Sequence, residues 1–578
     1  MFEGAIGIQA TQLIDLFMHL ISRNKRLINE RRDRMRPAFA AKTVQQAIQA
    51  YYNGNPDLKD NAADMMEFAA QQKMTQEQVK ALILTHSDLT LAGVYTLDPE
   101  KISNECGIDR ESIASGLERL SISFGDLKDT NPAHLFLSNP VWTKPVIKVG
   151  EKVYFCAMPQ IFFSFIFHII PELLEGNEPA KKQYQKRKAD FLENEIKDQF
   201  SRAFPHREIA TGYKWREGPD EYENDLMVRV DSHLLLIEAK SHSVHWSALR
   251  GAPDRAKKHV KDMLLDPSIQ SLRLATRINE VLKDISTKDE RLPSFPVSLD
   301  SVRTIVRLSV TLEDFAMLQS TLHLARDAGW FPANHPIAPC ILLADVEIIF
   351  DILQGAPQKI HYLKRRADLE NNFKYRGDEL DLLGFYLGNG FNIGLAEFDN
   401  SQFMLTGASK PIDKYYEAKE EGIITPKPQP KIKEWWKDIC RKIEARGHPQ
   451  WTDVSIALLH VSYEDQVIVE RKFKTLIENV HKNWQTPGHD CAIVVTPHKH
   501  RNDSIAVFAY KERDSANRHD RISGVVTNVF EDTPHVDRCL VIGVNIDRMD
   551  YPYSLIAIFF RGEDTEEAEL EAPTGAAA

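Results

Sequence analysis

The feature that most constrains this chain is a pair of apolar runs two residues apart. LMVRV fills residues 226–230 and HLLLIEA residues 233–239, with Asp231 and Ser232 between them. Both runs are short, rich in Leu, Val and Ile, and lack the polar face of an amphipathic helix. That pattern predicts two strands joined by a tight turn and covered on both faces. Asp225 stands just before the first run, and Glu238 and Lys240 lie at the end of the second.

The spacing places these three groups relative to one another. If Asp231 and Ser232 form the turn, Val230 faces His233 and Asp225 faces Glu238. Directly opposed residues share a face, with Cβ atoms about 5 Å apart. Lys240, two positions beyond Glu238, lies on the same face. The turn has no glycine, so a two-residue and a four-residue loop both stay open, and both keep this register. Two carboxylates and an ammonium group are therefore predicted to meet, with the carbonyl of Ala239 within reach.

Acids at the ends of buried strands are costly unless something compensates them. A divalent cation would do so. Magnesium takes oxygen ligands, commonly one or two carboxylates with water and phosphate oxygens making up the rest. It polarises a phosphate and lowers the pKa of a bound water. A neighbouring lysine can hold that water and offset charge in the transition state. Asp225, Glu238 and the Ala239 carbonyl are the expected metal ligands, for Mg2+ with Mn2+ as a substitute.

This stretch resembles the PD-(D/E)xK superfamily of restriction-endonuclease-like folds, in particular its nuclease-related, NERD-like branch. The resemblance implies a helix, a mixed sheet and a second helix, with an acid on the first helix, an acid on the second strand and E-x-K on the third. The strand acid matches Asp225, and E-x-K matches Glu238-Ala239-Lys240. The helical acid matches Glu193 in ADFLENEI, with Glu195 as the alternative. A glutamine on the following helix recurs in relatives, and Gln270 in IQSLRLATRI could fill that place. Asn224 stands where many relatives have proline. The resemblance covers roughly residues 180–350. It implies catalysis by Asp225, Glu238, Lys240 and Glu193: a Mg2+-dependent endonuclease that hydrolyses phosphodiester bonds, in DNA ahead of RNA. Restriction or antiviral defence is the role such an enzyme suits. A rival from another class is an inactive nuclease-fold protein that serves as a nucleic-acid-binding or scaffolding subunit.

The rest of the 578 residues predicts a multidomain α/β protein. Residues 1–138 have helical periodicity. In TQEQVKALIL, Thr75 and Gln78 have capping-box spacing, and PEKISNECGIDRESIASGLERL predicts a helical hairpin turning at Gly107. The nuclease-like domain is expected at 139–355, opening with a hairpin around Gly150 and with its core at 178–350. Later strands are expected at Val302–Thr311 and Ile341–Ile349. A helical connector follows at 356–425, then the linker PKPQP and a C-terminal α/β domain at 431–565. That last domain is expected to begin with a strand, WTDVSIALLHV. The tail, 566–578, reads as disordered.

The net charge is −11, a poor basis for an extended nucleic-acid surface, so any phosphate contacts must be local. Weak candidates are Lys364, Arg365 and Arg366, together with His242 and His245 after the lysine. The basic segment Arg23–Arg36 reads at least as well as a solvated helix face, and His498 and His500, which could ligate a metal, read better as ordinary surface histidines because no further spaced Cys or Asp set accompanies them. Asp378, Glu379 and Asp381 read as ordinary helix-start acids. The six cysteines form no CxxC pair, which suits a reducing cytosol. No apolar run is long enough for a membrane span and no signal peptide is expected. A homo-oligomer and a partner protein both remain open.

Overall fold

The structure, a computed structural model, describes residues 2–58, 60–134, 139–242, 253–315, 317–399, 401–483, 490–562 and 568–571. The chain divides into two units. One runs to Arg187 and the other begins at Lys188, so the division falls inside the helix Glu178–Ala203.

The first unit is mainly helical. Its 31-residue helix Ala10–Ala40 buries Leu13, Leu16, Phe17 and Leu20, the apolar stripe of ATQLIDLFMHL. The Thr75–Gln78 capping box forms as expected. So does the helical hairpin, with Gly107 in the left-handed region at φ +75° between Pro99–Cys106 and Arg110–Arg119. The hairpin Val146–Gly150 and Val153–Phe155 does not open the second unit. It pairs with Thr96–Leu97 and Ser121–Ser123 in a small sheet. Val146 and Tyr154 share a core with Leu13, Ile113 and Ile169. The boundary expected at residue 139 therefore moves to Arg187, because the hairpin buries its apolar face on the helices before it.

The second unit holds two sheets. The first has five strands in sequential order: β1 (Glu208–Glu217), β2 (Asp220–Val230), β3 (His233–Lys240), β4 (Thr304–Thr311) and β5 (Cys340–Leu342). β1, β2 and β3 are antiparallel neighbours, whereas β3, β4 and β5 run parallel. The carboxyl ends of the three parallel strands thus lie along one edge, with the start of β2 beside them. The helix Glu178–Ala203, here α1, precedes the sheet. Its Lys188 makes a buried ion pair of 2.6 Å with Glu313, just past β4. The helix α2 (Asp266–Lys283) lays Leu274, Ala275, Ile278 and Val281 on a face formed by Met227, Leu234 and Leu236.

Two elements expected as strands are helices. Residues 341–349 supply only the end of β5, and the chain then turns into the helix Leu343–Ile352. WTDVSIALL forms a helix with all nine residues buried. A helix covered on every side has no polar face, so its sequence resembles that of a buried strand. β1 had no counterpart in the expected elements. It is an edge strand in which only Tyr213 and Trp215 are buried, so its apolar alternation is faint.

The expected connector contains the helix α3 (Gly355–Asn372) and the helices Glu379–Asn389 and Lys410–Glu420. The C-terminal sheet has five strands, with a parallel pair Asp503–Tyr510 and Arg538–Asn545 at its centre. Residues 568–571 of the expected tail pair with Leu555–Ile558 as its edge strand; the remainder of that tail lies outside the described residues. Among the described residues no helix is long and apolar enough to cross a membrane.

Candidate functional site

The turn between β2 and β3 has two residues, with Val230 paired to His233. Asp231 takes φ +55°, a left-handed conformation that Asp tolerates better than most residues. Its carboxylate leaves the hairpin and accepts hydrogen bonds of 2.9 Å from the backbone N–H groups of Gln450 and Thr452. Asp231 therefore caps the N-terminus of the buried helix Trp451–Leu459, α4. The far end of the hairpin is thereby fixed.

The near end carries the acids and the lysine. The expected register holds from Val230↔His233 to Leu226↔Ile237, where the ladder stops. On the other edge of β2 the pairing lapses between Thr211↔Leu226 and Tyr213↔Asn224, at Gly212 with φ +66°. The strand is thus irregular at Asp225. Instead of continuing the ladder opposite Glu238, Asp225 uses its carboxylate as the acceptor, taking the N–H of Ala239 at 2.6 Å. The N–H and C=O of an extended residue point to the same edge, so the Ala239 carbonyl is directed towards the Asp225 side. One residue earlier, Asn224 donates its amide to Glu238 Oε1 at 2.8 Å and to the carbonyl of Ile237 at 3.3 Å.

Glu238 is fully buried, and among the described residues its Oε2 has no hydrogen-bond partner. Burial, with the charge of Asp225 next, pushes its carboxyl up to about 8. Asp225 is also raised, chiefly by burial, while Lys240 and the Ala239 N–H pull it back. Glu193 on α1 is raised by partial burial and then by Asp225, with Lys240 opposing. Glu223 acts on all three acids in the same sense as they act on one another. Among the described residues, Glu193, Asp225 and Glu238 thus all sense Lys240. Lys240 is half-buried, and the nearby Glu223 pairs with Lys214 at 3.5 Å.

The structure therefore brings together Glu193, Asp225, Glu238, Ala239 and Lys240. Glu195 lies two residues along α1, about 200° around the helix from Glu193. Gln270 donates to the backbone carbonyl of Glu223, so it braces β2 beside the acids. Asn224 and Glu223 had no assigned role in the sequence; both precede Asp225 in the middle of β2, where the pairing lapses.

The weak nucleic-acid candidates fare differently. Arg365 is buried in a fork with Glu397, at 3.1 and 2.6 Å. Arg366 is fully buried between Glu370 and Glu379. Neither can meet a phosphate, because each is already neutralised inside α3's packing. Lys364 pairs with Asp368 at 2.9 Å. His242 is exposed, and His245 lies outside the described residues. The acids at 378–381 do start a helix, with Asp378 as its N-cap.

The oxygen-only donor set fits a hard cation. Two carboxylates and a carbonyl leave room for the water and phosphate ligands that magnesium retains, and Glu238 Oε2 is a buried acceptor that lacks a partner. Among the described residues no group of three or more His, Cys, Asp or Glu side chains is placed to hold a metal ion; Asp225 and Glu238 with a backbone carbonyl would be a smaller donor set.

No protein family, curated protein or solved structure matches the chain.

Proposed function

We infer that the chain is a metal-dependent nuclease of the PD-(D/E)xK type, a Mg2+-dependent endonuclease that cleaves DNA ahead of RNA. The observation that carries this reading is the unpartnered, fully buried Glu238 Oε2 set beside Asp225 and Lys240. A buried carboxylate oxygen without a donor is unfavourable, and a cation would satisfy it.

Asp225, Glu238 and the Ala239 carbonyl would hold Mg2+, or Mn2+ in its place. When bound, the ion polarises a phosphate oxygen and makes a water acidic enough to attack. Lys240 holds that water and its charge stabilises the extra negative charge on the phosphate. Glu193 orders water on the solvent side of the same group. With the cation absent, the acids repel a phosphate; neutralising them makes approach of the substrate possible. The flanking regions would select the target, in a role such as restriction or antiviral defence in the cytosol.

The test is cleavage of plasmid DNA with Mg2+ or Mn2+ by wild type, Asp225→Ala and Lys240→Ala, with an RNA substrate in parallel. Wild type is expected to cut and both variants to lose activity by at least 100-fold, the scale for losing a transition-state charge contact. Equal cutting by all three would point to a contaminant and sink the reading. Binding without cutting would favour a scaffolding role.

A further inference from the structure

Asn224 occupies the position where a proline commonly precedes the strand acid, and its contacts give it a task. Its side chain is 1% exposed. The amide nitrogen faces two acceptors, Glu238 Oε1 at 2.8 Å and the Ile237 carbonyl at 3.3 Å. The Ile237 carbonyl accepts whether or not Glu238 holds a proton, and a cation-bound Glu238 carboxylate would accept as well, so turning the amide over would set oxygen against oxygen. The orientation is therefore fixed by chemistry.

The consequence falls on Glu238. One carboxylate oxygen is held by Asn224, and the other, Oε2, is buried with no partner among the described residues. A free carboxylate could rotate to share either oxygen with a cation or to chelate through both. The bond from Asn224 removes that choice. We propose that Asn224 is a positioning residue, holding Glu238 by Oε1 so that Oε2 alone is presented to the cation. This rests on the metal-dependent reading above.

No smaller change reproduces the arrangement. Proline has no side-chain donor. Aspartate would set a second carboxylate against Glu238. Leucine fills a similar space but donates nothing. Partners that orient a ligating carboxylate commonly contribute 10–100-fold to metal affinity.

The experiment is calorimetric titration of the full chain with MnCl2, for wild type, Asn224→Ala and Asn224→Leu. Leucine keeps the volume and guards against collapse of the site. Val306→Ala, a lesion at a buried position of β4 with no bond to Glu238, controls for general loosening of the sheet. The Kd for Mn2+ is expected to rise about 10–100-fold in both Asn224 variants and to stay within about twofold in Val306→Ala. Wild-type affinity in either folded Asn224 variant would overturn the proposal, and so would an equal loss in Val306→Ala. If wild type itself binds no Mn2+, the metal-dependent reading falls and takes this role with it. That outcome is distinct from a wild type that binds and an Asn224→Leu that binds as tightly.

Discussion

Replacing Glu238 by glutamine should stabilise the metal-free protein above neutral pH, although it removes the most buried acid of the site. In the folded chain the Glu238 carboxyl is pushed from its ordinary 4.5 to about 8. Below pH 4.5 both folded and unfolded chains hold the proton, and stability does not depend on this group. Between 4.5 and 8 the unfolded chain releases the proton while the folded one keeps it, so stability falls as pH rises. Each unit of separation is worth about 1.4 kcal/mol. The loss at pH 8 is then on the order of a few kcal/mol, with Asp225, also raised, adding in the same direction. Glutamine carries no proton to lose and can still bond to its neighbours. Thermal melts in EDTA across pH 5–9 read the effect. The wild-type midpoint should drop by several degrees towards pH 8, with Glu238→Gln showing a shallower slope and the higher midpoint at pH 8. Adding Mg2+ at pH 8 should then raise the wild-type midpoint, since a ligand bound only by the folded state stabilises it, and leave the variant nearly unmoved. Equal pH slopes in EDTA, or a variant less stable than wild type at pH 8, would refute the assignment of a buried, uncompensated carboxyl.

Three further outcomes follow from the geometry. Lys240→Ala should abolish cleavage yet keep Mn2+ binding within about tenfold, because the lysine acts on water and phosphate and is no ligand; calorimetry and a cleavage assay on the same sample check this. Asp231→Ala should lower stability by about 1–2 kcal/mol through loss of the cap on α4, read as a fall in denaturant midpoint. Arg366→Ala should cost about 3–5 kcal/mol or prevent folding, because Glu370 and Glu379 would be left buried without their partner; soluble, stable protein with unchanged melting would contradict the buried network.

The sequence made the hairpin legible because period, turn and chemistry agreed there. Apolar runs fixed the register, and the observed pairs from Val230↔His233 to Leu226↔Ile237 follow it. The last step was not legible. Extrapolating the ladder to Asp225 and Glu238 assumed a regular strand, whereas Gly212 on the neighbouring strand takes a left-handed conformation and the pairing breaks there. Asn224 was invisible as a contributor for the same reason: its reach to Glu238 depends on that irregularity. Arg365 and Arg366 looked like surface charge because sequence records a basic cluster without its partners, and Glu397 lies 32 residues away from Arg365. The helix Trp451–Leu459 read as a strand because total burial erased its polar face.

The central claim is that a divalent cation sits between Asp225 and Glu238. Crystals grown with Mn2+ and examined by anomalous scattering test it most directly. A single strong peak is expected with Asp225 and Glu238 Oε2 about 2–2.3 Å away, the distance range of a hard divalent ion from oxygen, and the Ala239 carbonyl as a third ligand. Glu238 Oε1 should remain on Asn224. A map with no peak there at saturating Mn2+, or with the ion bound only elsewhere, would contradict it.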